Sequence, residues 1–147
     1  MIQDVIIQPL KLIPNERGRL MEIQRRDNEH FISLGQIYIT ETFPGIIKAW
    51  YRHHKQIDQI AAITGMIKLV LFDSRESSPS YGKVQEIIIG ELAPKLVKIP
   101  PKIWHGFQTI SLNSAFLIHL NSEMFDSSNS DEDRLPVNTM EIPYQWN

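Results

Sequence analysis

The sequence predicts an all-β fold, an antiparallel sandwich or jelly roll, on three observations. Apolar residues recur with period 2 or in short unbroken runs, and no stretch keeps the 3.6-residue period of a helix for three turns. The candidate strands are short, 5–8 residues each, and evenly spaced. Between them lie turn residues. Taken in order, Ile2–Gln8 carries Ile2, Val5, Ile6 and Ile7, and Arg19–Gln24 carries Leu20, Met21 and Ile23. Gln36–Thr42 alternates Ile37 and Ile39 with more polar neighbours, and Pro44-Gly45 turns the chain into Ile46–His53. Ile57–Ile63 and Met66–Asp73 flank Thr64-Gly65. The stretch Ser77-Ser78-Pro79-Ser80-Tyr81-Gly82 is a loop ahead of Val84–Ile89, Gly90 ends that strand, and Lys95–Ile99 follows. Pro100-Pro101 precedes His105–Ser111, and Asn113-Ser114 leads into Ala115–Asn121. Residues 122–147 differ. Asp126–Asp133 is polar, acidic and aperiodic, and Pro136 and Pro143 come after it, so this region is expected as a loop packed on the barrel or its mouth.

Composition sets the bounds. With 147 residues, 42% of them apolar, the chain is expected to form one domain spanning 1–147 with a core that needs no crosslink. The absence of cysteine excludes thiol catalysis, Cys-type zinc sites and disulfides. A net charge of −2, from 15 basic and 17 acidic side chains, argues against a nucleic-acid binder. No apolar run approaches the roughly 20 residues that span a bilayer. Asp4 stands where a signal peptide would carry lysine or arginine. The expectation is therefore a cytoplasmic enzyme or binding domain.

Three of the five histidines occupy informative positions. In Tyr51-Arg52-His53-His54, strand alternation sets Tyr51 and His53 on one face and His54 on the other. From Gly45, five residues lead to Tyr51, one separates it from His53, four lead to Asp58, and six to Gly65. That spacing resembles the first signature of the cupin superfamily, with Tyr51 at the first histidine and Asp58 at the acid. Pro100 followed by His105 resembles the second signature. Metal-binding cupins would place Tyr51, His53, Asp58 and His105 around Fe, Mn, Ni or Zn, whereas a metal-free cupin would use the same polar mouth for an organic substrate. His30 and His119, alone beside apolar residues, read as structural or surface histidines.

A narrower resemblance runs from about Ile13 to Trp146. Asn15-Glu16-Arg17-Gly18-Arg19-Leu20, Gly45-Ile46-Ile47-Lys48-Ala49-Trp50-Tyr51, the stretch from Phe72 to Gly82, and Ile99-Pro100-Pro101-Lys102-Ile103-Trp104-His105-Gly106-Phe107 are similar, in order, to four motifs of the dTDP-4-dehydrorhamnose 3,5-epimerases. The resemblance implies a cupin jelly roll, a homodimer, a nucleotide-linked 4-keto-6-deoxy sugar as substrate, and proton transfer next to the ketone with no metal or organic cofactor. It sets Arg17, Gln36 and Lys48 at the nucleotide diphosphate and His105 beside the keto oxygen. Arg75 and Pro79 read instead as parts of a turn.

The chain departs from the family pattern at the reacting groups. Tyr51 replaces the family's histidine base, Met124 or Phe125 stands where its tyrosine acid belongs, and Asp58 falls at the position of a lysine. The carboxylate that orients the base is expected from Asp131 or Asp133. His53 is the expected proton acceptor and Tyr51 a donor, because a phenol with a reference pKa of about 10 is a poor base near neutral pH. The His53 and His105 pattern is also similar to the nucleotide-sugar 3,4-ketoisomerases. Three readings follow: a nucleotide-sugar epimerase or isomerase of polysaccharide biosynthesis, a non-catalytic nucleotide-sugar or carbohydrate-binding cupin, and a metal-dependent cupin enzyme. Dimerisation is expected to cover strand edges, with Ile2–Gln8 a candidate for exchange between subunits.

Overall fold

The computed structural model describes residues 1–147 and contains twelve strands and no helix. Strands β1 (Ile6–Pro9), β9 (Lys95–Ile99), β6 (Asp58–Thr64), β11 (Ala115–Asn121) and β4 (Gln36–Thr42) form, in that order, one antiparallel sheet. A second antiparallel sheet runs β12 (Glu132–Arg134), β5 (Ile47–His53), β10 (Ile103–Thr109), β7 (Met66–Asp73) and β8 (Val84–Gly90). The remaining strands, β2 (Leu12–Asn15) and β3 (Gly18–Met21), make a separate hairpin.

Alternation along each strand builds the core. Ile60, Ala62, Val97, Ile99, Ala115 and Leu117 of the first sheet meet Ile67, Leu69, Leu71, Ile87, Ile89, Ile103 and Phe107 of the second. This is the sandwich the periodicity predicted. The outer face of the first sheet presents Ala61, Leu96 and Leu120 to Met21, the last residue of the hairpin, and to Ile23 just after it. The outer face of the second carries Trp50, Val70, Phe72 and Trp104, and the C-terminal tail covers them with Leu135, Ile142, Tyr144 and Trp146.

Four expected strands, Gln36–Thr42, Met66–Asp73, Lys95–Ile99 and Ala115–Asn121, coincide with the structure. Others need correction. The first strand begins at Ile6 and not at Ile2, because Ile2 and Val5 plug the core and Asp4, at φ 66°, breaks the extended run. It pairs antiparallel with β9. The expected strand Arg19–Gln24 is the shorter β3, folded back on an unforeseen β2 through a turn in which Asn15 Oδ1 accepts the Arg17 N–H. The tail packs as expected, but Glu132–Arg134 within it is a strand. Three polar residues carry no period; the open edge of β5 supplied their hydrogen-bond partners.

Arg75 has the structural role expected of it. Its guanidinium grips both carboxylate oxygens of Asp73, whose Oδ2 also accepts the hydroxyls of Ser78 and Ser80. The same arginine reaches Asp4 and the Gln3 carbonyl, tying the N-terminus to this turn.

One irregularity positions the site. In the β5–β10 ladder His105 faces Tyr51, yet Phe107 faces Lys48, so β5 holds one residue more than β10 between those pairs. His105 and Phe107 point inward, so Lys48 and Tyr51 both point inward, while Ala49 and Trp50 turn to the outer cluster. Gly106 makes room for the bulge: a Cβ there would lie 2.3 Å from Ala49 Cβ. Gly106→Ala is expected to lower stability by about 1–3 kcal/mol, the usual cost of overpacking, as measured by urea denaturation. A variant as stable as the wild type would contradict this account of the bulge.

Candidate functional site

At one end of the sandwich the inward side chains change from apolar to polar. The carboxylate of Asp58 crosses from the first sheet to the second, where its Oδ2 lies 3.5 Å from His53 Nε2 and 3.5 Å from His105 Nε2. The two imidazole rings stand 6.2 Å apart, and the Tyr51 ring lies 6.4 Å from His105. Strand parity and the β5 bulge thus bring Tyr51, His53, Asp58 and His105 together, as their spacing implied.

Hydrogen bonds set the protonation pattern. His105 Nδ1 lies 3.2 Å from the Ile103 carbonyl, which acts as the acceptor and therefore holds a proton on Nδ1. Burial pushes the His105 pKa down, so Nε2 faces Asp58 as an acceptor or shares its proton. The Gln56 amide donates to Asp58 Oδ1 at 2.7 Å and approaches His53 Nε2 at 3.2 Å. Burial, opposed by the charge of His53 and the Gln56 hydrogen bond, raises the Asp58 pKa to about 6. A buried carboxylate thus lies between two imidazole nitrogens.

The tail supplies more of the site than its composition suggested. Asp131 Oδ2 lies 3.9 Å from His53 Nδ1, itself buried without a partner, and is anchored by the backbone N–H groups of Lys55 and Gln56. Asp133 instead binds Arg52 and His54 on the outer side of β5, so of the two expected carboxylates it is Asp131 that faces His53. Glu132, across the ladder from His53, comes within 3.8 Å of Nε2. Lys48 reaches the rim and donates to the Glu41 carbonyl. Gln36, on the facing sheet, accepts the backbone N–H of Phe125. Arg17 is not brought to this group: it sits at the hairpin tip, 82% exposed, beside Glu16. Met124 and Phe125 lie in the exposed loop that borders the mouth, in a cavity shared with Asp131.

Several lining residues escaped the sequence reading. His119, read as structural, faces the pocket with its ring stacked on Tyr38 at 4.5 Å and its Nε2 at 3.0 Å from the Thr40 hydroxyl. Burial, aided by the nearby His105 and Lys48, lowers its pKa to about 4, so it stays neutral. Asn121 lies within 3.5 Å of the Tyr38 hydroxyl. The inward parity of Gln36, Tyr38 and Thr40 was the one signal available for this wall.

The group also has the chemistry of a metal centre. One donor atom each from His53, Asp58 and His105 fall within 4.8 Å of one another, and two imidazoles with one carboxylate suit Zn, Fe or Mn.

Comparison with known proteins places the whole chain. The family model described as dTDP-4-dehydrorhamnose 3,5-epimerase matches residues 1–147. A probable low-salt glycan biosynthesis epimerase of Haloferax volcanii is 36% identical over 99% of this chain and 95% of its own length. A spore coat polysaccharide biosynthesis protein of Bacillus subtilis is 31% identical over 100% and 97%. The crystal structure of a dTDP sugar isomerase from Desulfovibrio desulfuricans superposes with a TM-score of 0.94 at 29% identity, covering 99% of this chain and 92% of that one. A 3'-monoepimerase from Streptomyces bikiniensis in complex with dTDP-quinovose shares the fold with a TM-score of 0.86 at 17% identity, over 99% of this chain and 76% of its own.

The buried carboxylate carries a stability cost with a definite pH dependence. Above pH 6 Asp58 is ionised in both folded and unfolded chains, and the folded state bears the full penalty. As pH falls, the folded form takes up a proton first, and the penalty disappears below the ordinary value of 3.8. Asp58→Asn is therefore expected to be more stable than the wild type at pH 8, by up to about 3 kcal/mol, with the advantage vanishing near pH 4. Urea denaturation across that range checks it, and an advantage that grows toward low pH would refute it.

Proposed function

The chain belongs to the dTDP-4-dehydrorhamnose 3,5-epimerase family, and on that premise we propose that it epimerises a nucleotide-linked 4-keto-6-deoxy sugar for polysaccharide synthesis through the imidazoles bridged by Asp58. The observation that carries the reading is the buried Asp58 carboxylate standing 3.5 Å from both His53 Nε2 and His105 Nε2. A ketone at carbon 4 acidifies the hydrogens on carbons 3 and 5. His53 takes one as a proton, and the C–H electron pair moves into an enolate. The Tyr51 hydroxyl, its ring beside His105, stabilises the developing oxyanion. Asp131, 3.9 Å from His53 Nδ1, favours the imidazolium that forms. Lys48 and Gln36 line the rim where the nucleotide diphosphate enters, Lys48 as a point charge without the fork of an arginine. Arg17 would need a second copy or a ligand extending beyond its own mouth to take part.

The reading includes a homodimer. β4 is an edge strand whose outer face exposes Ile37, Ile39 and, just beyond it, Phe43, next to Phe116 of β11. A row of apolar residues along an open edge is what a second copy would cover. The metal centre is a second reading, favoured by the donor geometry of His53, Asp58 and His105.

Incubation with dTDP-4-keto-6-deoxyglucose in deuterated water, followed by NMR, is expected to show deuterium entering carbon 3, carbon 5 or both. His53→Asn is expected to slow that exchange by about 10²–10⁴-fold. No exchange by the wild type, with the sugar nucleotide still bound, would replace the epimerase reading with a binding protein. Activity that chelation abolishes and Zn or Mn restores would favour the metal reading. Ile39→Asp is expected to shift the oligomer toward monomer in light scattering, and a wild type already monomeric would refute the dimer.

A further inference from the structure

An epimerase must return a proton to the face of the sugar opposite the one it left. His53, Tyr51 and His105 all stand on β5 and β10 of the second sheet, on one wall of the mouth. Asp58 crosses from the other sheet, but its carboxylate is engaged with that same pair of imidazoles. The opposing wall is built from β4 and β11, whose inward residues here are Gln36, Tyr38, Thr40, His119 and Asn121. Gln36 and Asn121 are amides and carry no transferable proton. His119 is neutral, and its Nε2 is occupied by the Thr40 hydroxyl, which is engaged in the same bond. Tyr38 is left. Its ring is fixed by stacking on His119, with centroids 4.5 Å apart and planes 11° from parallel, and its hydroxyl lies 3.5 Å from the Asn121 amide.

Resting on the epimerase reading, we infer that Tyr38 is the general acid that completes the reaction from the wall opposite His53. The tyrosine missing from positions 124–125 is thus supplied by a strand far away in sequence. Two further features fit this role. Burial raises its pKa, aided by the charges of Asp58 and Glu132 nearby, so it arrives protonated. With 39% of the residue exposed, it is open to a ligand at the mouth. In the step itself, the His53 nitrogen accepts the proton from carbon 3 and the enolate forms. The enolate electron pair then takes the Tyr38 O–H proton on the opposite face to make the new C–H bond. The phenolate is reprotonated by water, and the imidazolium returns its proton to water.

The test is Tyr38→Phe, which keeps the stacked ring and removes only the hydroxyl, assayed beside the wild type with dTDP-4-keto-6-deoxyglucose in deuterated water. Inverted product is expected to form at least about 10²-fold more slowly. Deuterium is expected to continue entering carbon 3 at close to the wild-type rate with configuration retained, because the His53 imidazolium exchanges with solvent and returns a deuteron to the face it came from. Inversion at the wild-type rate would overturn the assignment of Tyr38 and leave the epimerase reading intact. Loss of exchange together with inversion, in a variant whose circular dichroism is unchanged, would also overturn it, by moving Tyr38 to binding or to the base step. A wild type that exchanges nothing would end the epimerase reading itself, and this inference with it.

Discussion

The carboxylate of Asp58 reaches from one sheet to within 3.5 Å of imidazole nitrogens on two strands of the other, and much of the polar mouth is arranged around that contact. Burying a carboxylate is costly unless it is ionised beside a cation or shares a proton. Here His53 and the Gln56 amide offset part of the cost. The same arrangement gathers both imidazoles around one carboxylate at the mouth. Stability and chemistry pull on this residue in opposite directions.

Two backbone devices deliver the partners to Asp58. The extra residue in β5 between Lys48 and Tyr51 turns both of those side chains inward while Trp50 stays in the outer cluster under Ile142 and Trp146. Gly106 leaves room for it on the neighbouring strand. The tail then closes the exposed edge of β5 with β12, which brings Asp131 and Glu132 to His53 and directs Asp133 outward to Arg52 and His54. One short pairing covers a sheet edge and completes the charge pattern around the proposed base.

Legibility followed the range of the forces involved. Met66–Asp73 and Lys95–Ile99 could be read because a strand buried on both faces, or alternating between core and cover, writes its environment into its own residues. Tyr51, His53, Asp58 and His105 could be grouped because their spacing and parity survive in one dimension. Glu132–Arg134 could not be read as a strand, since its partners lie some eighty positions upstream and its own side chains are all polar. Tyr38 and His119 were overlooked for a similar reason. Each looks ordinary alone, and only the β4–β11 register stacks one on the other.

By itself, then, the sequence determined an all-β sandwich without thiol chemistry and a mouth carrying two histidines and an acid, because periodicity, composition and spacing are local quantities. The tertiary structure decided which carboxylate faces His53, that Arg17 stands away from its own pocket, and that a tyrosine from the first sheet faces histidines on the second. Those outcomes depend on a bulge, an edge pairing and the packing of two sheets, each of which joins residues whose separation along the chain carries no record of their contact.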